Sequence, residues 1–128
     1  MPRIITFPRI TDARGSLSFA ERLPFDIKRA YWVFDLAAEA TRGGHSHKTL
    51  ERILIPMAGS FVALVNEKPY GLYKPWVGLY VEPLEWLDLR DFSAGAAFIV
   101  LASAEYSEAD YIRDRADYDK LISASTTR

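Results

Sequence analysis

The chain has 128 residues, 49% hydrophobic and 26% charged, the size and balance of one globular domain that can bury a core, so a single domain over 1–128 is expected. Sixteen basic against seventeen acidic residues leave a net charge of −1, so no bulk field draws the protein to nucleic acid or to an anionic membrane. Cysteine is absent, which excludes disulfides, thiolate nucleophiles and thiolate metal sites and suits a reducing cytosol. The N-terminus lacks a long apolar core, and no later run approaches the roughly eighteen apolar residues of a membrane helix. A soluble, unprocessed, cytoplasmic protein is therefore expected.

Taken in order, short β-branched and aromatic runs predict strands at 3–8, 16–21, 28–35, 44–48, 51–57, 59–65, 78–81, 85–89 and 96–102. Turn chemistry is plain at 12–15, at Ala58-Gly59-Ser60 and at Ser93-Ala94-Gly95. The segment 68–80, with its near-duplicate Lys-Pro-aromatic starts at Lys68 and Lys74, reads as a hairpin loop or rim feeding a strand. From Ser107 onward, capping residues and mixed charges predict a short turn and a terminal helix over 115–123, with 123–128 frayed. So many short strands argue for an all-β sandwich or barrel carrying a short C-terminal helix.

Both histidines of the chain lie in Arg42-Gly43-Gly44-His45-Ser46-His47-Lys48, so its whole stock of near-neutral acid–base chemistry is at one place. On a strand, His45 and His47 point to one face about 6–7 Å apart, within reach of one small molecule. Arg42 and Lys48 bracket the pair, favouring neutral imidazoles and an anionic ligand, and the glycine pair lets the backbone bend. Two chemistries follow. In the first, His45-x-His47-x-x-x-Glu51 followed by Gly59 is close to the first signature of the cupin barrels, with Glu51 and Asp88 available to complete a metal set, although the usual further histidine is missing. In the second, which needs only what the chain has, one neutral imidazole removes a proton next to a carbonyl and the other serves the oxygen as an enediol forms, without metal or other cofactor.

Arg14, at the tight turn Asp12-Ala13-Arg14-Gly15, and Arg42 are candidates for binding a diphosphate bidentately. Lys48 adds charge beside the histidines. Among the strand aromatics, Tyr31, Tyr80 and Trp86 are candidates for contacting the substrate or its base.

The stretches Asp12–Leu17, Pro24–Tyr31, Arg42–Lys48, Gly59-Ser60, Gly78–Val81, Trp86, Asp91-Phe92-Ser93, Val100–Ser103 and Asp110–Arg113 together resemble, in order and over essentially the full chain, the nucleotide-sugar 3,4-ketoisomerases. The resemblance implies a cupin-type jelly roll, a homodimer that exchanges N-terminal strands, and a metal-independent shift of the keto group of dTDP-4-keto-6-deoxyglucose from C4 to C3. It implies His45 as the base, His47 as its assistant at the oxygens, and a product that a transaminase takes on towards surface polysaccharide. Two departures stand out. Leu87 follows Trp86 where some relatives have histidine, and Pro69 and Pro75 replace an acidic turn in a shortened 59–78 segment. The alternatives are a 3,5-epimerase, which would need Tyr80 or Tyr31 as its acid, and a non-catalytic sugar-nucleotide binding domain.

Overall fold

The architecture described here is that of a computed structural model, in which residues 2–126 are described. Along the chain run β1 (Arg3–Thr6), β2 (Arg9–Asp12), β3 (Gly15–Ser18), β4 (Arg29–Val33), β5 (Arg42–His47) and β6 (Arg52–Ala58). They are followed by β7 (Phe61–Val65), β8 (Lys68–Leu72), β9 (Val77–Val81), β10 (Leu87–Arg90), β11 (Ala97–Ala102), β12 (Tyr111–Ile112) and α1 (Arg115–Thr126). One sheet has the order β1-β9-β6-β11-β4 and the other β12-β5-β10-β7-β8, with every pairing antiparallel. This is the expected all-β jelly roll with a short C-terminal helix.

Period-two alternation decides what each strand buries. On β6, Leu54 faces the space between the sheets, where it joins Phe61, Leu79, Val81, Phe98 and Val100 in the main core. Ile53 and Ile55 face the other way and form a second core with Phe7, Tyr80 and Leu101 beneath Leu23 and Phe25 of the β3–β4 connection. A third, small cluster of Trp86, Ile112 and Tyr118 lies under α1. Each buried Leu or Phe contributes about 1.5–3 kcal/mol, so the two-sided first sheet carries much of the stability. The helix starts at a true cap, the Asp114 carboxylate accepting the backbone N–H groups of Ala116 and Asp117 at 2.8 and 3.1 Å.

Three strands were not legible in the residues. In β8, Pro69 and Gly71 read as loop, yet β8 is an edge strand and its tight turn from β7 places Asn66 and Glu67 at φ 50° and 70°, so neither residue obstructs the hairpin. β2 falls between the strand expected over 3–8 and the turn at 12–15, and the two-residue β12 is too short for any periodic signal. The helix continues to Thr126 rather than stopping at Ser123. The last two residues of the segment expected to fray, 127–128, lie outside the described residues. No helix among the described residues is long and apolar enough to cross a membrane.

Candidate active site

A cavity of about 380 Å³ opens between the sheets. Inward-facing positions of β4, β5 and β6 supply Arg29, Tyr31, Arg42, His45 and Arg52, and β12 adds Tyr111 from the far end of the chain. Leu54, Leu87 and Phe98 give it an apolar floor. Leu87 pairs in register with His45, so it occupies the wall directly beside the imidazole.

The two histidines share a face as their spacing requires, with ring centroids 5.0 Å apart and edge to face. They do not share a cavity. His45 opens into the main one, whereas His47, 2% exposed, lines a smaller space of about 220 Å³ behind it. The Tyr111 ring packs on both, with centroids 5.2 Å from His45 and 4.2 Å from His47. Arg113, held by Glu108 at 2.9 Å, lies over the outer face of Tyr111.

Local backbone geometry makes this placement possible. Gly43 sits at φ +85° opposite a bulge between Leu87 and Asp88, and a Cβ there would lie 2.6 Å from the Leu87 carbonyl oxygen. Gly43→Ala is therefore expected to lose about 1–3 kcal/mol through backbone strain alone, with the collision in addition. A urea midpoint unchanged from the parent would show that the bulge relaxes freely.

Asp110 fixes the turn after β5. Its carboxylate accepts the Thr49 N–H and hydroxyl at 2.9 and 2.8 Å and the Leu50 N–H at 3.1 Å. The same carboxylate stands 3.5 Å from His47 Nδ1, which makes no hydrogen bond. Burial and the Arg52 charge push the His47 pKa down to about 3, so this is a carboxylate beside a neutral ring and not an ion pair. Burial, then Arg52, likewise hold His45 down at about 4, against a contact to the Gly43 backbone that favours its charged form.

Both rings thus stay neutral in the fold, while in the unfolded chain they accept protons near 6.5. Unfolding takes up protons below that value, so the contribution to stability is complete above pH 6.5 and is lost as the pH falls towards 4. Urea unfolding at a series of pH values is expected to show a decline of a few kcal/mol over that window. A flat profile would mean that the rings titrate normally.

The residues expected at the site divide cleanly. His45, Arg42 and Tyr31 meet at the main cavity. Tyr80 does not: it is the outward residue between Leu79 and Val81 and sits in the second core, its hydroxyl donating to Glu51 at 2.6 Å and Arg3 lying over its ring. Trp86 is packed at 5.2 Å on Tyr118 under α1. Lys48 is exposed and lines neither cavity. Arg14 projects from the tip of the β2–β3 hairpin, 91% exposed and paired with Asp12 at 2.7 Å. Of the carboxylates considered for a metal set, Glu51 is engaged by Tyr80 and Asp88 lies between inward-facing Leu87 and Leu89. Among the described residues no three His, Asp or Glu side chains converge.

Arg52, Arg29, Tyr111, Arg113 and Asp110 were not singled out as site residues. Arg52 had a readable signal, since it is the one charge in the strand Arg52–Ala58 and shares the parity of Leu54.

Residues 1–123 match the family described as FdtA: WxcM-like, C-terminal. The chain belongs to this family. It is 41% identical over 127 residues, 94% of this chain and 91% of the other, to the TDP-4-oxo-6-deoxy-alpha-D-glucose-3,4-oxoisomerase of Aneurinibacillus thermoaerophilus. Among solved structures, a 3,4-ketoisomerase from Helicobacter canadensis superposes with a TM-score of 0.92 at 38% identity, covering 95% of this chain and 97% of that one. QdtA, a sugar 3,4-ketoisomerase from Thermoanaerobacterium thermosaccharolyticum solved in complex with TDP, gives 0.91 at 40% identity and covers 94% and 93%. Family members therefore share this jelly roll across essentially their whole length.

Proposed function

We propose that the protein is a nucleotide-sugar 3,4-ketoisomerase that moves the carbonyl of dTDP-4-keto-6-deoxyglucose from C4 to C3, in the cytoplasm, supplying a 3-keto sugar for amination on the way to surface polysaccharide. The observation that carries this reading is the neutral His45 imidazole opening into a cavity ringed by cations. His45 takes the C3 proton, the C4 carbonyl electrons move to O4 as the C3–C4 double bond forms, the O3 proton is exchanged for one on O4 as C3 becomes the ketone, and a proton returns to C4. The atoms balance with no oxidant or reductant. The arginines suit a diphosphate and a developing enediolate, both anionic. A guanidinium 3.5 Å from His45 Nε2 supplies positive charge beside the imidazole, which supports the metal-independent form.

Incubation with dTDP-4-keto-6-deoxyglucose in D₂O, followed by NMR of the ring protons, tests this. Deuterium at C4 of a 3-keto product, with label at C3 of the remaining 4-keto sugar, is the expected result. Label at C3 and C5 would make the protein an epimerase, and binding without exchange would make it a binding domain.

The working unit proposed is a homodimer that exchanges its N-terminal hairpins. Every residue of β2 and β3 is exposed, the hairpin pairs only with itself, and it displays Ile10 and Leu17 at 60% and 58% exposure. Trp32 on the outer face of edge strand β4 and Phe34 just beyond its end, also more than half exposed, are offered to a second copy. In such a dimer Arg14 reaches the partner's nucleotide. Ile10→Asp with Leu17→Asp is expected to give monomers in sedimentation velocity, and Arg14→Ala to weaken TDP affinity more than it slows turnover. A parent protein that sediments as a monomer would end the exchange model.

A further inference from the structure

Arg52 is a costly side chain to leave as it stands. It is 1% exposed, at an inward position of a strand that is otherwise apolar, and its Nε and Nη2 atoms have no hydrogen-bond partner among the described residues. Its remaining nitrogen, Nη1, is 3.5 Å from His45 Nε2, the outer limit of a hydrogen bond, so the imidazole lone pair stays available for a proton. The nearest cavity neighbours add to the problem, because Arg29, Arg42 and Arg113 line the same space. A guanidinium removed from water is tolerated when an anion or a strong acceptor completes its shell, and removing one partner of such a pair costs several kcal/mol. Arg52 is a lining residue of the cavity and the described residues offer these two donors no acceptor, so the missing acceptor is assigned to the ligand.

We propose that Arg52 is a catalytic electrophile, its free N–H donors taking the C4 carbonyl oxygen of the bound sugar and holding the enediolate charge as His45 removes the C3 proton. This rests on the isomerase reading above. The geometry fits the step: the acidic C–H and the carbonyl oxygen are on adjacent carbons, and the base and the guanidinium that receive them are on adjacent side chains. The C3–H electron pair becomes the C3–C4 double bond, the carbonyl π electrons settle on O4 against Arg52, and the proton goes to His45. His47, expected to serve the oxygens, faces the second cavity and stays neutral at ordinary pH, so it offers no cation at this point.

Arg52→Met keeps the bulk and removes the donors, whereas Arg52→Gln keeps an N–H donor without charge. With the D₂O assay, Arg52→Met is expected to lower kcat about 10²–10³-fold while KM changes less than tenfold, with Arg52→Gln in between. The acid limb of kcat/KM is expected to move towards neutral pH in both, because a positive charge beside His45 is gone. A purely structural arginine would lower the melting temperature and leave kcat and the limb in place. Folded Arg52→Met turning over within threefold of the parent overturns the proposal. If that variant fails to fold, Arg52→Gln decides it by the same two readouts. A parent that does not isomerise brings down the isomerase reading and this role with it, whereas an active parent with an equally active variant removes the role of Arg52 alone.

Discussion

His45→Asn is expected to leave the fold intact and reduce turnover by about 10³–10⁴-fold, the upper part of the range for losing a general base. The loss should be this large because no second base is in position. His47 opens to the other cavity and is pushed down to about 3, and Tyr31 is held above its ordinary value by burial, so neither replaces the lost imidazole. Stability should change little, since the His45 side chain borders open space and its burial is unfavourable to its charged form. Deuterium exchange at C3 in the bound ketone, together with circular dichroism, checks both halves. A residual rate within tenfold of the parent would move the base to another residue.

Asp110→Ala is expected to cost about 3–5 kcal/mol, the sum of two or three hydrogen bonds to an ionised acceptor, each worth about 1.5–3 kcal/mol before relaxation. Three donors lose their acceptor at once, and the Leu50 N–H belongs to a buried residue. For a chain of 128 residues the melting temperature should fall by roughly 10–20 °C. Asp110→Asn, which keeps one acceptor oxygen, should recover about half of that. An Ala variant melting within a few degrees of the parent would mean that water substitutes for the carboxylate.

How much of this could be read from the residues depended on whether the deciding physics was local. Alternation in the runs that form β6, β9 and β11 is local, and so is the turn chemistry around Gly15 and Gly59, which is why the two-sheet architecture and the His45–His47 face were legible. The inward or outward sense of a given aromatic is not local, because a shift of one residue reverses it. Tyr80 and Trp86 look as eligible as Tyr31 in the sequence, yet only Tyr31 has the parity that faces the cavity. Tyr111 and Asp110 reach the histidines only because β12 pairs with β5, and two residues carry no pattern by which that pairing could be foreseen.

That pairing also governs when the site comes into being. Thr49 and its acceptor Asp110 are 61 residues apart, and β12 is the last strand of the chain. Chain order, not loop length, delays the contact, because β12 is synthesised after every other strand of the two sheets. During synthesis on the ribosome the barrel can assemble from its earlier strands while the imidazoles still lack their aromatic cover. Catalytic competence should therefore appear as the final event of biogenesis, after the bulk of the core has already become protected from hydrogen exchange. A polypeptide released early, before Tyr111, would be a folded shell without an enzyme inside.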